Sequence, residues 1–245
     1  GLSCAYYLAV KGYPVTVFEK KDTLGGMMTM GIPTFRLEKD VVFSEIEVLR
    51  ELGVEFKTGV EVGKDVTLEE LRSQGYKAFY MAIGAQKSSP IGIPGEELDG
   101  VYGGIDFLRA SLTGKAPKIG SSVAVIGGGN VSVDVARTAV RLGAENAMLV
   151  YRRGRDELKA DDEEVEDALN EGVKLMLLRA PVEIIGENGA VKALKLEIMK
   201  LGEPDASGRR SPVGTGEFEL IEVDNVIGAI GQHIDWSGIE LGAMK

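Results

Sequence analysis

Along the first half of the chain, apolar residues recur in some segments at helical spacing and in others in short β-rich runs, which predicts alternating helices and strands. Apolar residues recur at helical spacing in 38–52, and Gly53 directly after them is a typical helix stop. The β-rich run VTVFE instead predicts a short strand. The elements predicted for this half are a helix at 2–11, a strand at 15–19, a helix at 38–52, a strand at 54–62, a helix at 67–75 and a strand at 78–85.

The same pattern starts again after TGKAPKIGS (113–121), whose glycine, proline and lysine content indicates a linker. A strand, a glycine turn and a helix follow, and then further strands. This internal repeat predicts an α/β protein built from two consecutive nucleotide-binding units. The elements predicted for the second half are strands at 123–127 and 147–152, helices at 130–142 and 161–171, strands within 174–200 and 217–231, and a polar loop at 202–217.

Composition narrows the class of function. A formal net charge of -10 over 245 residues argues against a nucleic-acid partner. No apolar run is long enough to cross a bilayer, so we expect a cytoplasmic protein without a membrane partner. Cys4 is the only cysteine, which leaves no disulfide, C-x-x-C pair or metal-ligand set. Any redox chemistry therefore requires a bound organic cofactor.

The segment VIGGGNVSVDVART (125–138) carries a dinucleotide-binding pattern between a strand and a helix. Gly127 and Gly129 occupy its first two glycine positions, and Ser132 occupies the third. Glycine there lets the backbone approach a pyrophosphate, and the helix N-terminus offers N–H groups to it. The alternative interpretation is a plain glycine turn of an α/β protein.

A second pattern of this kind begins at Gly1, which leads straight into a helix and matches the third glycine position. When the two units are overlaid, Glu19 of the first meets Tyr151 of the second, with Arg152 and Arg153 following. An acid suits the free ribose diol of FAD or NAD, whereas two arginines suit a 2′-phosphate. We therefore expect FAD in the first unit and NADP(H) in the second. The alternative for the arginines is an ordinary solvated pair at a strand end.

An ordered series of motifs along the chain resembles the FAD/NADPH module of the glutamate synthase small (beta) chain family. It is also similar to the flavin/NADPH region of dihydropyrimidine dehydrogenase and to NADPH–ferredoxin-type oxidoreductase subunits. The motifs are VFEK with LGG within 17–26, GIPTFRLEKDV at 31–41, AIGA at 82–85, IPGEELDGV at 93–101, VIGGGNVSVDVART at 125–138, VYRRGRDEL at 150–158 and AIGQ at 229–232.

The resemblance implies two Rossmann-like (glutathione-reductase-type) domains, with the NADPH domain inserted into the FAD domain. The expected limits are 1–114 for the first part of the FAD domain, 121–228 for the NADP(H) domain and 229–245 for the return. The residues that the resemblance assigns to FAD are Gly1, Glu19, Lys20, Gly25, Gly26, Arg36 and Val62. Those assigned to NADP(H) are Gly127, Gly128, Gly129, Asn130 and Val131 at the pyrophosphate, Arg152, Arg153 and Lys159 at the 2′-phosphate, and Ala229, Ile230 and Gly231 along the nicotinamide half.

The activity implied is hydride transfer from NADPH to FAD, with electrons passed on to iron–sulfur centres in another domain or in a larger synthase or reductase subunit. Hydride transfer between these cofactors needs no protein acid or base, so no catalytic side chain is predicted and His233 is expected to be structural. The strand and first two glycines that precede Gly1 in complete modules are not in this sequence, so we expect weak or absent FAD. The alternatives are an NADP(H)-binding scaffold without turnover and the NADPH–ferredoxin-type subunit of a different oxidoreductase.

Two further features are expected to be structural rather than functional. The acidic run at 156–172 contains an apolar stripe of Val165, Ala168 and Leu169, which favours a solvated amphipathic helix over an acidic docking face. Cys4, on the first helix, is expected to be a buried small residue rather than a redox centre.

Overall fold

The computed structural model describes residues 1–204 and 210–237, and the chain divides into two compact units. Unit 1 consists of residues 1–86 and the chain from 234 onward, and unit 2 consists of residues 87–233. This division differs from the domain limits expected from the sequence, because residues 87–114 and 229–233 group with unit 2. The cofactor domains at 1–114, 121–228 and 229–245 stay a prediction.

Unit 1 contains a two-stranded parallel sheet in which Thr16 pairs with Glu55 and Glu19 with Thr58. One helix of this unit is closed by a capping box, since Thr67 accepts from the Glu70 amide and the Glu70 carboxylate accepts from the Thr67 amide. The elements are α1 (Leu2–Val10), β1 (Thr16–Glu19), α2 (Met27–Met30), α3 (Lys39–Glu51), β2 (Glu55–Thr58) and α4 (Leu68–Ser73).

The core of unit 1 is small. Leu2 and Phe56 pack against both of its buried clusters. Helix α3 is amphipathic as predicted, and the three residues that it buries are Val42, Ile46 and Leu49. The two clusters are Ala5 with Leu49 and Val54, and Leu24 with Val42 and Ile46.

The strand predicted at 78–85 is wrong: this segment forms no β-ladder with the residues that the structure describes. Its residues alternate between exposed and half-buried, as they do in a strand, and Tyr80 is 69% exposed. The alternation is typical of an extended backbone, but a β-strand also needs a neighbouring strand to pair with its amides and carbonyls. The predicted strand at 54–62 is also shorter, since β2 ends at Thr58.

Unit 2 is built on a five-stranded parallel sheet with the order β4-β11-β5-β6-β7. Two residues of β3 and two of β12 form a separate antiparallel pair. The first elements of unit 2 along the chain are β3 (Lys87–Ser88), β4 (Val101–Gly103), α5 (Gly104–Leu112), β5 (Ser122–Ile126), α6 (Asn130–Arg141), β6 (Asn146–Tyr151), α7 (Asp162–Asn170) and β7 (Lys174–Leu177). The strands that follow are β8 (Arg179–Glu187), β9 (Ala190–Pro204), β10 (Arg210–Glu222), β11 (Asn225–Gly228) and β12 (Gln232–His233). Strands β8, β9 and β10 form an antiparallel meander.

The parallel sheet is covered on both faces, which explains the continuous apolar run of β5. Val123 and Val125 belong to the core shared with α5, α6 and α7. Ala124 and Ile126 point the other way and belong to a second core with Ile184, Leu194 and Leu196 of the meander. The helix predicted at 161–171 is confirmed as α7. It buries Val165 and Ala168, whereas Leu169 of the predicted stripe is 38% exposed.

The meander of β8, β9 and β10 corrects the polar loop predicted at 202–217. Residues 202–204 continue β9, and residues 210–217 belong to β10; the remaining five residues lie outside the described part of the chain. Here Val213 pairs with Lys200 and Gly214 with Met199. Backbone pairing to β9 overrides the low strand propensity of this polar, glycine-rich stretch. Within residues 1–204 and 210–237, no helix has the length and apolar content that a membrane span requires.

Candidate functional site

The glycine turn between β5 and α6 is shaped by close backbone contacts. A methyl group on Gly127 would lie 2.5 Å from the Ala229 carbonyl oxygen and 2.9 Å from the Ser132 Cβ. Only glycine fits there, and its φ of 156° also disfavours a side chain. Ser132 is fully buried, and its hydroxyl donates to the Gly129 carbonyl at 2.6 Å. The small residue predicted at the third glycine position therefore does allow close packing of helix and strand.

Gly129 differs from Gly127 in what it faces. No described atom lies within 4 Å of where its Cβ would be, so open space adjoins the backbone at the start of α6. The first N–H groups of a helix have no acceptor within the helix, and they form the positive end of its dipole. The backbone of Gly129 and Asn130 can thus be approached closely by an anion.

The chain after β11 runs beside this turn, at the carboxyl ends of the parallel strands. The Ala229 amide donates to the Ile126 carbonyl at 2.8 Å, and the Gly231 carbonyl accepts from the Ser89 amide at 2.9 Å. Ile230 between them is 47% exposed. Strand β5 lies between β11 and β6: the chain continues from β5 to β6 on one side and returns much later as β11 on the other side, so the strand order reverses here. Such a switch point is where open α/β sheets bind dinucleotides.

Tyr151, at the end of β6, occupies the position where an acid would meet an unphosphorylated ribose. Its ring lies against the glycine turn, since a methyl group on Gly128 would come within 2.4 Å of Tyr151 Cε2. The hydroxyl donates to the Glu157 carbonyl at 2.6 Å. The side chain is therefore held as a neutral wall of the turn.

Arg153 is the most unusual charged residue of unit 2. It is only 9% exposed, and its Nε has no hydrogen-bond partner. Among residues 1–204 and 210–237, no carboxylate forms an ion pair with it. Arg152 and Lys159, assigned to the same phosphate, are exposed. Since a buried cation is costly unless paired, this arginine points to an anionic ligand.

Asn130 is placed at the first position of α6, but its side chain is used within the protein. Its Nδ2 donates to Asp161 Oδ2 at 2.8 Å, and its Oδ1 accepts from the Asp161 amide at 2.9 Å. Val131 next to it packs its side chain against the core. Any contact of these two residues with a pyrophosphate is therefore left to their backbone amides. Sequence reasoning missed Asp161, because the contact joins residues 31 positions apart.

A network of charges joins α6 to α7. The Arg137 side chain, 7% exposed, contacts Glu164 at 2.7 Å and Glu171 at 2.8 Å. Arg141 also pairs with Glu171. Hydrogen bonding from Arg141, and then from Arg137, outweighs burial and lowers the pKa of Glu171 from 4.5 to about 2. Glu171 is therefore ionised throughout the physiological range.

The flavin residues predicted in unit 1 form two groups. In the first, the Lys21 amide donates to Glu19 Oε1 at 2.9 Å, so the acid at the end of β1 keeps one oxygen without this bond. Lys20 pairs with Glu61 at 3.5 Å, and Glu61 directly precedes the predicted Val62 in the sequence. The Lys20–Glu61 ion pair thus connects the end of β1 to the segment that contains Val62.

The second group surrounds α2. Gly26 is the N-cap of that helix with φ 56°, and a methyl group on Gly25 would lie 2.5 Å from Thr29 Cγ2. Lys39 at the start of α3 donates to the carbonyls of Met28 and Ile32, at 2.8 and 2.5 Å. The predicted Arg36 lies half-buried in the loop that this lysine ties down. Sequence reasoning did not single out Lys39.

Gly1, Cys4 and His233 complete the predicted residues. Gly1 is exposed at the N-cap of α1, and a methyl group there would lie 3.2 Å from the Ala82 Cβ. Cys4 is half-buried on α1, and His233 is exposed on β12. Neither Cys4 nor His233 contributes to the site at the glycine turn.

A glycine turn between a parallel strand and a helix, at a sheet switch point, defines an α/β dinucleotide-binding protein. The chain matches the description "Pyridine nucleotide-disulphide oxidoreductase" over residues 1–243. It therefore belongs to the pyridine nucleotide-disulphide oxidoreductase family. Membership confirms the predicted class of enzyme and supports the predicted cofactor pair of FAD and NADP(H).

Known proteins with similar sequences and structures agree with this assignment. The chain is 43% identical over 247 residues to the NADPH-Fe(3+) oxidoreductase subunit beta of Geobacter sulfurreducens, covering 98% of this chain and 36% of that protein. It is 39% identical over 242 residues to the glutamate synthase [NADPH] small chain of Halomonas elongata, covering 94% and 51%. The resemblance predicted from the motifs is confirmed. The chain thus spans about a third to a half of these relatives.

The fold matches a solved structure of FprA from Mycobacterium tuberculosis in complex with NADPH. The TM-score is 0.81 at 22% identity, and the match covers 93% of this chain and 68% of that one. This likeness confirms the predicted class of fold, with Rossmann-like nucleotide-binding architecture.

Proposed function

We propose that unit 2 binds NADP(H), that unit 1 forms part of an FAD site, and that the chain is the hydride-transferring module of a larger oxidoreductase. The observation that carries the proposal is the unpaired guanidinium of Arg153. Arg153 comes two positions after the neutral Tyr151, the last residue of β6 that pairs with β7, and its Nε has no hydrogen-bond partner. A 2′-phosphate would supply the negative charge that no described side chain supplies.

The glycine turn fits the other charged part of the coenzyme. Gly129 leaves room for close approach, and the α6 N-terminus offers amides to a pyrophosphate. Ala229 is half-buried against the same turn, and Gly231, two residues later, is exposed. These residues would hold the coenzyme extended across the switch point. The chain's own part in the reaction is to bind and orient.

Unit 1 fits part of a flavin dinucleotide. Glu19 has an oxygen to accept from a ribose diol, and a methyl group on Gly26 would meet nothing within 4 Å. When both cofactors are bound, they supply hydride transfer from nicotinamide to flavin without a protein acid or base. The roles of Arg36, Lys20 and Val62 at the flavin, which the family resemblance implies, belong to the same proposal.

The names of the two relatives indicate that each of those proteins is one subunit of a larger enzyme, which supports a partner for this module. One is called a subunit beta and the other a small chain, and each is longer than this chain. We infer that an iron–sulfur domain or a larger synthase or reductase subunit takes the electrons. The two names specify different reactions, so the terminal acceptor is a property of the partner and not of these 245 residues.

The coenzyme assignment is tested by titration calorimetry with NADPH and NADH. Charge-assisted hydrogen bonds contribute roughly 1.5–3 kcal/mol each. We therefore expect NADPH to bind about 10- to 100-fold more tightly than NADH. Changing Arg152 and Arg153 together to alanine should remove most of this difference and leave NADH binding nearly unchanged.

Arg155→Ala is the matched control, because that arginine lies in the same loop but pairs with Asp162 at 3.1 Å and Glu166 at 3.2 Å. It should keep the preference for NADPH. Equal binding of both coenzymes by the unaltered chain, or a preference that survives the double substitution, would show that the arginines do not read a 2′-phosphate.

A second candidate function is an NADP(H)-binding scaffold that holds no flavin. The small core of unit 1 favours it, because a loosely packed site binds a large cofactor weakly. Titration with FAD distinguishes the two candidates: stoichiometric flavin that survives dialysis supports the reductase, and its absence supports the scaffold.

A further inference from the structure

Residues 152–160 form the loop that carries Arg152 and Arg153, and the C-terminal end of this loop is hydrogen-bonded to the glycine turn. The amides of Lys159 and Ala160 both donate to the Gly128 carbonyl, at 2.7 and 3.1 Å. One residue later, Asp161 exchanges two hydrogen bonds with the Asn130 side chain, at 2.8 and 2.9 Å. We call the reciprocal Asn130–Asp161 pair the latch.

Asp161 stands at the N-cap of α7, where an aspartate ordinarily accepts from an amide of its own helix. Its side chain makes no such capping bond. The carboxylate instead accepts from Asn130, on a different helix. The stability of α7 therefore does not explain the orientation of Asp161.

Helix α7 is held by other contacts at both ends. Arg137 of α6 contacts Glu164 in the first turn of α7 and Glu171 directly after its last residue, and Val165 and Ala168 are buried against the core. Residues 152–160 are likewise fixed at their start, since β6 is hydrogen-bonded through Tyr151. Within the loop, Tyr151 holds Glu157, and the latch and the two amides on Gly128 attach its last residues to the turn.

We propose that Asn130 and Asp161 are positioning residues, which hold the arginine loop at a fixed distance from the pyrophosphate turn. Given the NADP(H) site proposed above, the latch holds the residues that face the 2′-phosphate and those that face the pyrophosphate as one preformed surface. A loop that is ordered before binding loses less conformational entropy when the coenzyme arrives. The latch thus acts through Arg152 and Arg153, without touching the coenzyme through its side chains.

The test uses Asp161→Ala in the full 245-residue chain, with Asp161→Asn as the conservative variant. Asparagine keeps an oxygen that accepts from Asn130 Nδ2. Asp161→Ala should weaken NADPH binding by roughly 3- to 10-fold, the effect of one or two ordinary hydrogen bonds. NADH binding should change by less than about twofold, because NADH has no 2′-phosphate for the arginines. Asp161→Asn should restore most of the NADPH affinity.

Hydrogen exchange without coenzyme gives an independent readout. Asp161→Ala should speed the exchange of the Lys159 and Ala160 amides by roughly tenfold, since it frees the end of the loop. Glu163→Ala is the matched control: this exposed acid lies in the same turn of α7, and it should alter neither exchange nor coenzyme affinity.

The outcomes separate the latch from the coenzyme assignment. Unchanged exchange in Asp161→Ala overturns the latch whatever coenzyme is preferred. Equal binding of NADPH and NADH by the unaltered chain overturns the assignment of the arginines, while faster exchange would still support the latch. An Asn130→Ala variant that weakens both coenzymes equally, with Asp161→Ala silent, would mean that Asn130 contacts the pyrophosphate directly and that the latch is wrong.

Discussion

Three consecutive glycines in unit 2 are required for three different reasons. Gly127 lies against the Ala229 carbonyl, and Gly128 lies against the Tyr151 ring. Gly129 meets no described atom, so its missing side chain leaves space for something outside the protein. The first two positions are constrained by the fold, and we propose that the third is constrained by the coenzyme.

This difference predicts opposite effects of two alanine substitutions. Gly127→Ala forces a methyl group to 2.5 Å from a carbonyl oxygen, and should destabilise unit 2 by about 1–3 kcal/mol. Gly129→Ala has an allowed φ of −112° and open space, so its stability should stay within about 1 kcal/mol of the unaltered chain. It should instead weaken NADPH binding by about tenfold or more.

Urea unfolding and coenzyme titration of both variants check this prediction. The prediction would be contradicted if Gly129→Ala bound NADPH normally, or if Gly127→Ala unfolded at the same urea concentration as the parent chain.

At this scale, the residues that the sequence could identify are those whose role follows from local spacing. Gly127 and Gly129 follow the end of β5, and Arg153 follows the end of β6, each at a fixed offset. The latch and Lys39 could not be found in this way, because their partners lie in other elements or bind through backbone carbonyls. Such contacts carry no motif.

Ion pairs connect helices α6 and α7 in addition to their apolar contacts. Their apolar residues bring the two helices together, and Glu171 then pairs with Arg137 and Arg141 after the end of α7. The folded protein lowers the pKa of Glu171 to about 2 from 4.5. Because the unfolded chain binds the proton more readily, this contribution is present above about pH 4.5 and is lost as the pH falls toward 2.

Glu171→Gln should therefore lower the free energy of unfolding by about 1–2 kcal/mol at pH 7, a figure reduced for partial solvent screening. The difference from the parent chain should shrink as the pH falls from 4.5 toward 2. Denaturant unfolding at several pH values measures it. Glu163→Gln, on the exposed side of α7, is the control and should differ little at any pH; a pH-independent loss in Glu171→Gln would contradict the ion-pair explanation.

Element prediction succeeded where burial imposes a period and failed where backbone pairing decides. Helix α3 and strand β5 carry their environment in their side chains, and both were predicted near their observed bounds. The segment 78–85 has the alternation of a strand without a partner, whereas 210–217 has a partner without the composition. Strand formation depends on a neighbour, which a single segment does not encode.

The two units differ in how much apolar surface they bury. Unit 2 packs large side chains into cores on both faces of its sheet, with Phe107, Leu149 and Ile227 on one face and Leu194 and Leu196 on the other. In the described part of unit 1, each buried cluster contains three residues, while Tyr7, Val10 and Tyr13 remain more than half exposed. Burial of apolar surface is the dominant stabilising contribution, so unit 2 should be the more stable.

Thermal unfolding followed by calorimetry should accordingly show two transitions, with unit 1 unfolding first. NADPH at 100 times its Kd should stabilise the upper transition by about 2.7 kcal/mol, and FAD should raise the lower one if unit 1 holds it. Cleavage of partly unfolded samples by a protease assigns each transition to its unit. A single transition that responds equally to either cofactor would contradict separate stability of the units.

The position of Tyr151 has a consequence for redesigning coenzyme preference. In an NAD-binding relative of this fold, an acid at that place reads the ribose diol. In this chain the tyrosine ring also forms a wall beside Gly128, and its hydroxyl fastens the arginine loop at Glu157. Exchanging it for glutamate would open a cavity under the turn and release the loop at the same time. If unit 2 prefers NADPH as proposed, a change of coenzyme requires several coordinated substitutions, and no single mutation at this position should reverse the preference.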